Sequence, residues 1–512
     1  MSYLRYAAVV CLVLTVQLIA PARLNAEDVK EKPKKDAKKE AKKETKEESK
    51  RVEAAPVSDF EMRNIEGWIV YIRKSDLTDH AEKMNKAIEH LENQLYQTRL
   101  TIPAAAAAIT QERVPIWFEF DNDAATAFHP DFNWLLDRGY ACPEGLGSLV
   151  SIAKAKGFWR GAYHQPCVVL HELTHGYGYM YLGEGRHYSN KRLGEAYDRM
   201  EKTKKYESVL CRYSKGTKHY GLSNKMEYFA ESTEAYFGIN DFYPFIRPEL
   251  REYDPEMCAL LEDMWGVDLD EQKRTTKSLA KFIDTKADET VVTAADTRQA
   301  FTPTSEYDKR QIDGWQVYVS PRLAKQKAYG DAICRLIEHK LHLIRRYMPE
   351  DSLDKLRKVA IWVEEDSSVV GYITSHTSAK TLKANGLNPD KLNAVEIGNC
   401  EKFSQWQGMQ QYVLLRQLAR VCYDRALSDE QLEKVKAGLK KCVEGKKYDS
   451  VLRFDGKYVC HPALLNTAEF FARMTEMYYG VSDHYPFLQF ELFQHDPEMC
   501  DLMIDLWGGK AK

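Results

Sequence analysis

The chain has 512 residues, 44% of them hydrophobic and 29% charged. That is a soluble, globular composition in a chain too long for a single core. Its formal net charge of −3 gives no basic footprint and excludes nucleic acid as an implied partner.

Residues 1–26 read as an export signal: Arg5 supplies the positive start, and AAVVCLVLTVQLIA (7–20) is short for a membrane span. ARLNA ends at Ala26, with Ala22 an alternative small-residue site and an uncleaved anchor the competing reading. Cys11 follows Val10 rather than a small residue, which argues against a lipid anchor. With the signal removed no stable transmembrane segment is expected, and the protein is placed outside the cytoplasm, secreted or in the cell envelope. Residues 27–57 form a charged spacer, dominated by Lys, Glu and Ala over 28–53, with no apolar face to bury. Ten cysteines follow Cys11 with no CxxC pair, which argues against a cysteine metal site. An exported protein could hold them as disulfides or as buried free thiols.

From there the pattern predicts a short strand at GWIVYIR and a helix over about 78–98. A strand at VPIWFEF and a third at SLVSIA (148–153) follow. Helices are expected over about 162–182, 190–203, 226–238 and 253–265, the last opened by Asp254 and Pro255. Strands first and helices after indicate an α+β fold. The polar stretch 271–305 reads as a linker, in part helical.

The plan is then written a second time. FEMRNIEGWIVYI (60–72) returns as YDKRQIDGWQVYV (307–319), and VPIWFEFDND (114–123) as VAIWVEEDSS (359–368). MEYFAESTEAYFGINDFYPF (226–245) returns as AEFFARMTEMYYGVSDHYPF (468–487), and EYDPEMCALLEDMWG (252–266) as QHDPEMCDLMIDLWG (494–508). The order is kept while the offset drifts only from 247, between Phe60 and Tyr307, to 242, between Glu252 and Gln494. Two homologous domains are therefore expected, over 58–270 and 306–509.

HELTH (171–175) lies in the first copy. On a helix, His171 and His175 lie one turn apart on one face and can reach one ion, with Glu172 beside them as a base. A third ligand is then required. Tyr181 stands where the longer HExxHxxGxxH motif has its last histidine and is a poor ligand. Glu227 and Glu231 in MEYFAESTEAYF (226–237) share a helix face. Glu227 as ligand and Glu231 as hydrogen-bond acceptor for a ligand histidine would complete the site. The competing reading makes this segment an ordinary amphipathic helix with solvated acids.

HExxH followed by a distant helical glutamate resembles the gluzincin metallopeptidases. HYGLSNKMEYFAE (219–231) is most similar to the catalytic-domain family of anthrax lethal factor, over about 60 residues. The resemblance implies one zinc ion per chain, in the first domain, held by His171, His175 and Glu227. It further implies Glu172 as general base, Tyr220 as transition-state donor and Glu231 behind the ligands. His219 is a further candidate for the oxyanion. The expected activity is hydrolysis of a peptide or protein substrate by a zinc-activated water, with SLVSIA offered as a strand for an extended peptide. A binding protein that retains zinc without turnover is the alternative.

VLLRQLARVC (413–422) replaces VVLHELTHGY (168–177) in the second copy. Arg416, Gln417 and Arg420 stand for His171, Glu172 and His175. Pro462 stands for Tyr220 and Arg473 for Glu231, while Glu469 and His461 persist. Arginine offers no lone pair to a metal, so the second zincin-like domain is expected to be degenerate. Arg416 and Arg420 are expected to pair with Glu469. Structural support and substrate recognition are both open to this domain.

Overall fold

The computed structural model describes residues 51–508 apart from 123, 153, 184–188, 213 and 285–300. The signal segment, nearly all of the charged spacer and the centre of the linker lie outside the described residues. The protein is α+β, with small sheets among more numerous helices. Among the described residues no helix is long and apolar enough to cross a membrane.

In the first half the strands are β1 (Phe60–Ile65), β2 (Trp68–Arg73), β3 (Ile116–Phe118), β4 (Ala127–His129) and β5 (Leu149–Ile152). A two-residue turn joins β1 and β2, with Glu66 at φ 52° and Gly67 at φ 103°. Left-handed backbone at both positions matches the twist of the strands it joins. Trp68, Val70 and Ile72 alternate inward along β2, whereas β3 and β5 are buried at every residue. The order is β1-β2-β3-β5-β4, parallel through β2, β3 and β5 with antiparallel edges.

Leu149–Ile152 of SLVSIA is therefore an interior strand, bonded on both sides, and has no edge to offer a peptide. The edge belongs to β4, three residues whose brevity hides them from periodicity.

The helices that matter below are α1 (Ala81–Thr101), α2 (Val168–Tyr177), α3 (Lys225–Phe237), α4 (Arg247–Tyr253), α5 (Pro255–Trp265) and α6 (Leu269–Asp284). Asp254 caps α5 through the Met257 N–H, with Pro255 in the first turn, as the sequence predicts. The start of the linker is helix α6, which buries Leu279.

The second half repeats the arrangement. Strands β6 (Asp308–Ile312), β7 (Trp315–Val319), β8 (Ile361–Val363), β9 (Ile373–His376) and β10 (Ala394–Ile397) lie in the order β6-β7-β8-β10-β9. Asp313 and Gly314 make the same turn, at φ 49° and 91°. Helices α7 (Val413–Ala426), α8 (Thr467–Tyr479) and α9 (Gln489–His495) follow.

By contacts the chain divides into two compact units that do not follow the repeat. Among the described residues, one holds those of 51–92, 108–163 and 172–183, and the other those of 93–107, 164–171 and 189–508. The core of the larger unit explains the grouping. Tyr96, Phe245, Ile246 and Leu279 pack in one apolar cluster with Trp315, Ile337, Leu418, Phe470 and Trp507.

Within that unit Phe245 meets Phe490 edge to face, with centroids 4.4 Å apart. Beside them Glu249 of α4 and Glu491 of α9, equivalent positions of the repeat, are both buried. Each closes its own helix start: Glu249 accepts from the Phe245 and Ile246 N–H groups, Glu491 from those of Phe487 and Leu488. The two carboxyls are close enough to interact electrostatically, and like charges so placed favour retention of a proton. Burial raises both carboxyls above their ordinary range, and Glu249 adds to the rise at Glu491. Glu252, Tyr243 and Tyr485 are titratable groups that interact with the pair.

A raised folded-state pKa contributes stability that is full below the unfolded value, about 4.3, and is lost as pH climbs toward the folded one. The unfolding free energy from urea titrations should fall from pH 5 upward, at about 1.4 kcal/mol per pH unit while one proton is bound. Glu491→Gln should flatten that slope. Parallel wild-type and variant profiles would show that the pair holds no proton.

Candidate metal centre

Val168, Val169, Leu170 and Leu173 anchor α2 in apolar surroundings, and the same burial encloses His171, Glu172 and His175. The helix is continuous from Val168 to Tyr177, so the two histidines project one turn apart on one face. After it the chain runs through a π turn, Gly178–Leu182, and Tyr181 is 58% exposed. The position of a third histidine in the longer motif is thus turned to solvent.

The partner helix is α3. Asn224 caps it, its side-chain oxygen accepting from the Met226 and Glu227 N–H groups. Every residue from Glu227 to Phe237 is buried, so the amphipathic reading with solvated acids does not hold. Glu227, Glu231 and Glu234 stand at i, i+4 and i+7 and share one face.

His171 meets that face with both nitrogens. Nε2 lies 3.1 Å from Glu227 Oε2, and Nδ1 lies 2.6 Å from Glu234 Oε1. Glu231 Oε1 is 3.8 Å from Nδ1, too far for a hydrogen bond. The acceptor for His171 Nδ1 is therefore Glu234, three residues beyond the one the sequence motif nominates. No motif pointed to Glu234, although its helical spacing from Glu227 and Glu231 is a signal that could have found it.

His171, His175 and Glu227 each offer one ligand atom, and these atoms lie within 4.8 Å of one another. A second grouping, His171, Glu231 and Glu234, meets the same distance limit. Two donors on one tetrahedral zinc, each at about 2.0–2.1 Å, stand roughly 3.3 Å apart; the His171–Glu227 pair is close to that. The chemistry points the same way. With Nδ1–H donated to Glu234, Nε2 turns a lone pair toward a carboxylate oxygen, an arrangement that calls for a cation or a second proton.

Charge balance agrees. Glu231 is 1% exposed, and neither of its carboxylate oxygens makes a hydrogen bond; Glu234 Oε2 makes none either. Burial, then Asp241 and Glu234, push the Glu231 carboxyl well above its usual range. Asp241 is pushed up to about 7, by burial first and Glu234 next. Buried carboxylates left this short of partners are expensive. The residues present fit a divalent ion held by two imidazoles and a carboxylate, with a position left open.

Glu172 accepts at Oε2 from the backbone N–H of Phe128, 2.7 Å away, on the edge strand β4. Tyr220 begins the short 3-10 turn Tyr220–Ser223 that packs on α3 and is half-buried. His219 caps that turn: Nδ1 accepts from the Gly221 N–H, and Nε2 faces Asn240 at 3.5 Å and Glu231 at 4.0 Å. The ring is buried between Tyr206 and Phe242, and burial lowers its pKa to about 3. It is a neutral wall residue with both nitrogens turned to protein groups.

The equivalent place in the second half is filled by ion pairs. Glu469 accepts from Arg420 through Oε2 and from Arg473 through Oε1, both at 2.6 Å. Arg416 does not join them as the sequence suggests. It reaches Glu476 at 3.1 Å and Asp483 at 3.2 Å, and Arg473 takes its place at Glu469. Asp483 also receives Arg473 and His484. Burial works to raise Glu469 and Asp483, yet the surrounding cations hold both below their usual values. Asn466 caps α8 as Asn224 caps α3, and His461 accepts from the Ala463 N–H as His219 does from Gly221.

All ten cysteines among the described residues are free thiols, eight of them buried, one intermediate and Cys460 exposed. No family model matches the chain, nor does any curated protein or solved structure.

Removing one partner from a buried pair leaves the rest uncompensated and costs about 3–5 kcal/mol. Arg416→Met should destabilise the protein by that amount in urea unfolding. A loss under about 1 kcal/mol, typical of exposed pairs, would show that this lattice is not carrying the buried charge.

Proposed function

We propose that the protein is an exported zinc metallopeptidase of gluzincin type, built from two tandem zincin-like domains of which only the first is catalytic. The observation that carries the reading is the pairing of HELTH with a buried acidic helix face. His171 Nε2 stands 3.1 Å from Glu227, and His175 is one turn along the same helix. The shared strand order, turn and helix caps of the two halves support the duplication. The arginines on Glu469, Glu476 and Asp483 support a structural role for the second domain.

His171, His175 and Glu227 hold the ion. Such an ion polarises a carbonyl as a Lewis acid and brings the pKa of water to about 7. Glu172 takes the proton of the attacking water and passes it to the leaving nitrogen. The Phe128 N–H on its Oε2 fixes the orientation of that carboxylate. Tyr220 donates to the developing oxyanion. The substrate is a peptide or protein.

General acid–base groups contribute about 10²–10⁴-fold. Glu172→Gln should lower cleavage of a mixed peptide library by at least the lower figure while zinc content stays at one ion per chain. Zinc-loaded wild type that cuts nothing the variant spares would remove the peptidase reading and leave a zinc-binding protein.

A further inference from the structure

We propose that Glu234 is the positioning residue of this site: it holds the His171 ring with its proton on Nδ1 and its lone pair on Nε2, aimed at the ion. The inference rests on the metallopeptidase reading and names a residue that the motif does not contain. The motif nominates Glu231, one turn after Glu227. The geometry assigns the bond to Glu234, two turns after, at 2.6 Å from Nδ1 against 3.8 Å for Glu231. A carboxylate only accepts, so with an ion on Nε2 this contact places the ring proton on Nδ1. An acceptor on the far nitrogen also makes an imidazole a more basic ligand.

The second half of the chain supplies an internal control. Arg416 stands where His171 stands, and Glu476 where Glu234 stands. Arg416 donates to Glu476 at 3.1 Å, both groups being buried. The position equivalent to Glu231 has become Arg473, which turns to Glu469 and Asp483. The acceptor two turns along the helix thus receives the side chain from the 171 position in both halves, whether that side chain is imidazole or guanidinium. Glu231 accepts no hydrogen bond from His171. Its oxygens are buried without a hydrogen bond, near His171 and His219.

The test compares Glu234→Gln, Glu234→Asp and Glu231→Gln in the full chain, each first checked by thermal melting of the metal-free protein. Zinc affinity is measured by chelator competition. The tautomer of His171 is read from ring nitrogen NMR of the metal-free protein, with the signal assigned by its loss in His171→Gln. Loss of the carboxylate behind a ligand histidine weakens metal binding by about 10–100-fold. That loss is expected for Glu234→Gln, together with a shift of His171 away from the Nδ1–H form. Glu234→Asp should recover part of it, and Glu231→Gln should weaken zinc less than Glu234→Gln and leave the ring signal in place. Zinc-binding wild type whose affinity and ring signal survive Glu234→Gln, or change only with Glu231→Gln, overturns the inference and leaves the metallopeptidase reading standing. Wild type that takes up no zinc overturns both.

Discussion

The constraint on which the rest depends is the burial of three glutamates on one face of α3. Glu227, Glu231 and Glu234 are each no more than 5% exposed, and carboxylates in such surroundings must be matched by positive charge or take up protons. Helix α2 brings imidazoles to that face, with His171 bridging Glu227 and Glu234. Two imidazoles are weak compensation for three carboxyls, and Glu231 keeps both oxygens unbonded. A divalent cation would remove the imbalance.

The second half of the chain meets the same demand differently. Glu469, Glu476 and Asp483 retain the acidic side of the arrangement, and Arg416, Arg420 and Arg473 supply the cations. Guanidinium is permanently charged and donates in a fixed fork, so it balances carboxylates without a metal and without a lone pair for one. The caps at Asn224 and Asn466, the turns at Glu66 and Asp313 and the two five-stranded sheets match one for one.

Much of this was legible in the sequence because it rests on short-range rules. The α+β class, the strands around Trp68 and Trp117, helix α3 and the Asp254 cap follow from periodicity and capping chemistry. Strand β4 escaped because three residues carry no period, and its absence made β5 look like an edge. Glu234 escaped because the choice between it and Glu231 depends on how α2 and α3 pack, which spacing along one helix does not contain. Arg416 was matched with Glu469 because the sequence shows which carboxylate persists, and not that Arg473 would reach it first. The clustering of residues 189–270 with the second half follows from side chains such as Phe245 and Leu279 joining one core, a long-range fact that no local pattern encodes.

The central claim is that one metal ion sits between α2 and α3 and none in the arginine-filled equivalent. Anomalous diffraction at the zinc edge from crystals of the full chain tests it most directly. The account predicts a single strong peak per chain, within coordination distance of His171, His175 and Glu227. A map with no such peak, or with the peak beside Glu469, would contradict it.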